Sequence, residues 1–112
     1  MDRKEMVRRY RETPRPAGVY RVVHRSSGRM LLGASPDTRA MLNRIQAQLG
    51  LDSHPNRQLQ ADWDADGGDG FDFEVVDLLP PADDPDRDSS AELETLLELW
   101  REKLGVDPSL FY

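Results

Sequence analysis

With 112 residues the chain has room for one domain and one hydrophobic core, with little surplus stability. Hydrophobic residues make up 38% and charged residues 32%, a globular balance on the polar side. No apolar run approaches a membrane span, the first residues lack the apolar stretch of a signal peptide, and the absence of cysteine excludes disulfides and thiolate chemistry. A cytoplasmic protein without a membrane partner is expected.

The net charge of −6 hides a division along the chain. Residues 1–60 carry twelve Lys and Arg against five Asp and Glu, a net of +7, while residues 61–112 carry three against sixteen, a net of −13. A basic half attracts phosphates. Two halves of opposite sign can equally neutralise each other inside one folded domain, so both readings stay open.

In chain order, residues 2–12 read as a basic helix, and Pro14 and Pro16 as an extended lead-in. Residues 18–24 read as a strand on the strength of Val19, Tyr20, Val22 and Val23. Ser26-Ser27-Gly28 is a hairpin turn, and residues 29–33 form the partner strand. Ser35 or Asp37 caps a helix in which Met41, Leu42, Ile45 and Leu49 recur at helical spacing, ended by Gly50. A shorter helix is expected over residues 55–66, with Leu59 and Trp63 one turn apart, and Gly67-Gly68-Asp69-Gly70 stops it. Residues 71–79 read as a third strand with Phe71, Phe73 and Val75 on one face. An acidic loop over residues 80–90 leads to a last helix, capped by Ser89 or Ser90. Its apolar stripe is Leu93, Leu96, Leu97, Trp100 and Leu104, and Gly105 closes it. The order predicts an α/β (α+β) domain: a small three-stranded antiparallel sheet flanked by helices, with an added N-terminal helix. Its parts are the lead-in over residues 1–17, the domain over 18–104 and a C-terminal tail over 105–112.

Four segments occur in a telling order: Gly18-Val19-Tyr20, then Leu31-Leu32-Gly33, then His54-Pro55-Asn56 with Leu59-Gln60, then Phe71-Asp72-Phe73-Glu74-Val75-Val76. Together they resemble the GIY-YIG nuclease domain over roughly residues 18–104. The resemblance implies cleavage of one phosphodiester strand with Mg²⁺ or Mn²⁺, using strand tyrosines, a helix arginine and a metal-binding glutamate. A hard divalent ion needs carboxylate oxygen, and the scissile phosphate needs a cation against its developing charge.

Position by position, Tyr20 matches the first tyrosine, and His54 matches a histidine that aids proton transfer in some members. The second tyrosine is Leu31 here, and the arginine falls at Met41, with Arg44 one turn later. The metal glutamate falls at Leu97, leaving Glu98 beside it and Glu94 a turn earlier as alternatives. The candidate catalytic residues are therefore Tyr20, His54 and Arg44, and the candidate metal ligand is Glu98. With Leu31, Met41 and Leu97 apolar, the resemblance implies a degenerate member.

Three functions follow. One is a non-cleaving domain that binds DNA (branched, nicked or single-stranded) or a protein partner, with no cofactor. Another is an active metal-dependent endonuclease. The last is an interaction domain whose acidic C-terminal half docks a basic partner. Asp62-Trp63-Asp64-Ala65-Asp66-Gly67 begins like a calcium loop, but Phe73 stands where the loop's closing glutamate belongs. His24 and the Ser26-Ser27 pair carry no expected chemistry.

Overall fold

The computed structural model describes residues 16–80 and 88–112. The expected basic helix over residues 2–12 and most of the acidic loop lie outside them.

Strand β1 spans Gly18–His24 and β2 spans Met30–Ser35. They form the expected hairpin, turning at Gly28, whose φ of 77° is one that glycine adopts without a Cβ penalty. Strand β2 runs two residues further than expected, because Ala34 and Ser35 pair with Val19 and Gly18. Helix α1 spans Thr38–Gly50, with Asp37 as its cap: its side chain accepts the amide of Ala40. Ser35 has a supporting role, its Oγ accepting the Asp37 amide at 3.0 Å and donating to the Asp37 carbonyl.

Helix α2 spans Arg57–Asp66, starting two residues later than expected. Asn56 sits in extended backbone and accepts the Leu59 amide at 3.1 Å, so it sets the start. Gly67, at φ 74°, ends the helix. Strand β3 spans Phe71–Leu78, and helix α3 spans Ser90–Leu104. Ser89 takes the cap position without a side-chain bond, and Asp88 accepts the Ser90 amide instead. Gly105 closes α3 in the left-handed region at φ 57°.

The sheet order is β2-β1-β3, antiparallel throughout. Alternate residues of β1 face opposite sides. Tyr20 and Val22 enter a core with Ile45, Leu49, Leu59 and Phe71, sealed by α1 and α2. Val19 enters a second core with Met30 and Leu32, against the Leu96, Leu97, Trp100 and Leu104 stripe of α3.

A bulge interrupts β3. Val19 pairs with Asp77 but Tyr20 pairs with Val75, leaving Val76 as the extra residue. Phe71 and Phe73 fill the first core as expected, Val75 is 45% exposed, and Val76 packs into the second core.

The C-terminal residues return to the sheet. Phe111 forms a parallel bridge with Met30, and the Tyr112 amide donates to the Met30 carbonyl at 2.9 Å. The two aromatic rings then divide between the cores, Phe111 to the second and Tyr112 to the first.

Candidate functional site

Tyr20 is 8% exposed, and its ring lies directly over Gly33. A Cβ at position 33 would stand 2.5 Å from the tyrosine hydroxyl and 2.6 Å from Cζ, so the glycine is what admits the ring. Burial pushes the phenol pKa above its ordinary value, which favours the neutral hydroxyl. Leu31 and Met41 pack against the same core as Tyr20. Leu97 packs into the core on the other side of the sheet.

Arg44 is exposed on α1, with no acidic partner among the described residues. His54 lies between α1 and α2, half-buried. Burial lowers its imidazole pKa, and its Nδ1 accepts the Asn56 amide at 3.0 Å, which requires that nitrogen to be unprotonated. Its backbone N–H donates to Gln60 Oε1, and Gln60 Nε2 donates to the Leu49 carbonyl at the end of α1. Glu98 is exposed on α3, 2.8 Å from Arg101, and Glu94 is exposed one turn earlier. The structure thus gathers Tyr20, Leu31 and Met41 and places Glu98 on the helix that covers the opposite face.

No group of three or more His, Cys, Asp or Glu side chains among the described residues is arranged to hold a metal ion. These residues do not fit the Mg²⁺ or Mn²⁺ that the resemblance implies.

The signature segments have local structural duties. Gly18 lies where a Cβ would meet the Asp77 carbonyl oxygen at 2.0 Å, so only glycine allows this approach beside the bulge. Asn56 caps α2, Leu59 is fully buried, and Gln60 ties α1 to the loop. Glu74 pairs with Arg21 at 2.6 Å across the sheet. The resemblance therefore rests on residues that build the fold.

A polar network at the far end of β1 had no counterpart in the sequence reading. His24 is 5% exposed and stacks on Phe71 with ring centroids 4.8 Å apart. Its Nε2 donates to Asp66 Oδ2 at 2.5 Å, and Ser27 Oγ lies 2.6 Å from its Nδ1. Ser26 Oγ also donates to Asp66 Oδ2 at 3.0 Å. Asp62 accepts from Tyr112 at 2.6 Å, from Arg29 at 3.0 Å and from Gln58 at 3.1 Å.

Burial opposes the charged form of Asp62. The bonds from Tyr112, Arg29 and Gln58 outweigh it and hold the carboxyl below its ordinary pKa. The bonds from His24 and Ser26 do the same for Asp66. Tyr112 moves the other way: burial and its bond to Asp62 raise the phenol well above the ordinary tyrosine range. The supposed calcium-loop residues Asp62 and Asp66 are instead i,i+4 on α2, where helical geometry turns both toward His24. The serine, histidine and aspartate all bond within or against the hairpin turn, so they lock that turn to α2.

The charge division now has a structural meaning. Arg21, Arg25 and Arg29 of the basic half pair with Glu74, Asp72 and Asp62 of the acidic half. Arg44 and Arg57 are the exposed arginines of residues 16–60 without an acidic partner among the described residues.

Comparison with solved structures decides the fold. The catalytic domain of the homing endonuclease I-TevI superposes with a TM-score of 0.65 at 16% identity, covering 86% of this chain and 95% of that domain. A mutant form of the same domain gives 0.62 at 16% identity, covering 80% and 84%. This is the GIY-YIG-like fold. No protein-family model matches the chain, and no curated protein matches it. The likeness thus lies in the architecture of the GIY-YIG-like fold, which the signature residues maintain. Among the described residues, no helix is long and apolar enough to cross a membrane.

Proposed function

We propose that this GIY-YIG-like domain has lost phosphodiester cleavage and acts by binding nucleic acid. The observation that carries the reading is the fate of three positions. Leu31 and Met41 are packed into one hydrocarbon core and Leu97 into the other, where a working site needs a phenol, a guanidinium and a carboxylate. None of the three side chains can hold a hard divalent ion, donate a hydrogen bond to phosphate or move a proton. The exposed Arg44 would then contact a ligand without cutting it, while Tyr20 packs the core. In the I-TevI catalytic domains the same fold belongs to an endonuclease, which makes DNA the ligand to examine first.

Among the arginines of residues 16–60, Arg44 and Arg57 are exposed with no acidic partner among the described residues, whereas Arg21, Arg25 and Arg29 are held by carboxylates. Their two phosphate contacts would contribute about −1.4 to the slope of log K against log salt on a single strand.

The test is retardation of branched, nicked and single-stranded DNA at low salt, with Arg44→Glu/Arg57→Glu beside the wild type. The wild type should retard at least one form, and the double variant should not. No retardation of any form would sink the nucleic-acid reading.

A further inference from the structure

Ser27, His24 and Asp66 form one hydrogen-bonded row at the hairpin turn. Ser27 Oγ lies 2.6 Å from His24 Nδ1, and His24 Nε2 lies 2.5 Å from Asp66 Oδ2. The proton positions follow from the carboxylate. Asp66 is held below its ordinary pKa by its bonds to His24 and Ser26, so it is an acceptor only, and Nε2 carries the imidazole proton. In the neutral ring Nδ1 is then an acceptor, and the Ser27 hydroxyl donates to it. The Arg29 amide donates to Ser27 Oγ at 3.1 Å and fixes the oxygen in place. One ring nitrogen draws on the serine proton while a carboxylate orients the other, which is how a histidine makes a serine nucleophilic.

The surroundings suit the same step. His24 is 5% exposed and is stacked on Phe71, whereas Ser27 stands in the open turn, so the base is shielded and the nucleophile is reachable. Asp62 Oδ2 lies 3.5 Å from His24 Nδ1, on the side where the ring gains a proton when it accepts one from Ser27. The positive charge that forms on the ring therefore lies between two carboxylates. The backbone N–H groups of Ser26 and Ser27 have no acceptor among the described residues, which leaves donors beside the nucleophile for a developing oxyanion.

We propose that Ser27 is a nucleophile toward small activated acyl esters, with His24 as its general base and Asp66 as the residue that positions the imidazole. Ser27 Oγ bonds to the acyl carbon, its proton passes to His24 Nδ1, and the ester C–O bond breaks to release the alcohol or phenol. Water, deprotonated by His24, then cleaves the acyl-serine bond, releases the carboxylic acid and restores the hydroxyl. An exposed turn gives the acyl group little to hold it, so the substrates are small esters with good leaving groups. The inference is independent of nucleic-acid binding, which rests on Arg44 and Arg57.

The test treats the full chain with a fluorophosphonate, which bonds to an activated serine through phosphorus with loss of fluoride, and with p-nitrophenyl acetate. Mass spectrometry locates the adducts. Ser27 should carry the phosphonyl group and the acetyl group, and the other serines should not. Ser27→Ala, in an exposed turn, should abolish both adducts. Asp66→Asn should slow phosphonylation at least tenfold, with urea unfolding run beside it to show the variant folded. The rate of phosphonylation against pH should follow the titration of the His24 ring protons seen by NMR.

A folded wild type that takes no adduct would overturn the proposal, and so would adducts on other serines that persist in Ser27→Ala. A folded Asp66→Asn that reacts as fast as the wild type would overturn it too. A pH profile that does not track His24 would show that the row only braces the turn.

Discussion

The two faces of the sheet use alternate residues of the same strands, yet they are closed differently. The face that receives Tyr20 and Val22 is sealed by α1 and α2, and it holds Leu49 and Leu59 at 1% and 0% exposure. The face that receives Val19 is covered by α3 together with Val106 and Phe111 of the chain end, and Leu99 of α3 stays in solvent. The positions that the GIY-YIG resemblance would gather into one site are divided between these faces. Leu31 and Met41 fall on the first and Leu97 on the second, and all are hydrocarbon.

The comparison is most sharply tested by truncation. Leu59→Ala should cost about 2–5 kcal/mol, because a fully buried leucine leaves a cavity that its sealed surroundings cannot fill. Leu97→Ala, at a half-buried position of α3, should cost clearly less. Urea unfolding measures both, and equal losses would break the distinction between the faces.

A smaller effect is expected at the contact of Tyr20 with Gly33. Gly33→Ala should destabilise by about 1–3 kcal/mol, because the new methyl group meets the ring. Combining it with Tyr20→Ala should recover much of that loss, a coupling that a double-mutant cycle reads directly. Additive losses would mean the ring and the glycine do not share that space.

Next is the polar network, which ties the first face to the chain end. Asp62→Ala should cost about 1–3 kcal/mol, since Arg29 and the Tyr112 hydroxyl lose their shared acceptor. The pH dependence has a definite sign. Asp62 and Asp66 have depressed pKa values in the folded state, so their stabilisation is present above the unfolded carboxyl value of about 3.9. It is lost as pH falls below that value toward the folded pKa values. Tyr112 is raised, so its contribution holds below the unfolded tyrosine value of about 10 and is lost as pH climbs above it. Asp62→Asn should flatten the acid limb of a stability profile, and Tyr112→Phe the alkaline limb.

The smallest effect belongs to the second face. Trp100→Phe removes the indole bond to Asp77 and should cost about 0.5–1.5 kcal/mol in the same unfolding measurement.

The strands, the turn and the helices were legible in the sequence because their signals are local. Valines on β1, the glycine at the turn and the leucine spacing of α3 act within a few residues. The bulge at Val76 was not, because it depends on which residue of β1 each residue of β3 meets. The polar network was hidden by distance along the chain: Tyr112 reaches Asp62 across 50 residues, and His24 reaches Asp66 across 42. The Asp62–Gly67 spacing begins like a calcium loop, but most of it lies on the expected helix, where Asp62 and Asp66 face His24. The candidate site was legible as a set of substitutions. That Leu31 and Met41 share a core while Leu97 belongs to the other required coordinates.

Incubation of the full chain with supercoiled plasmid and branched DNA in Mg²⁺ or Mn²⁺, beside Tyr20→Phe, puts the loss of cleavage to the most direct trial. The account predicts no nicking above the Tyr20→Phe level. Metal-dependent nicking by the wild type that disappears in Tyr20→Phe would contradict it.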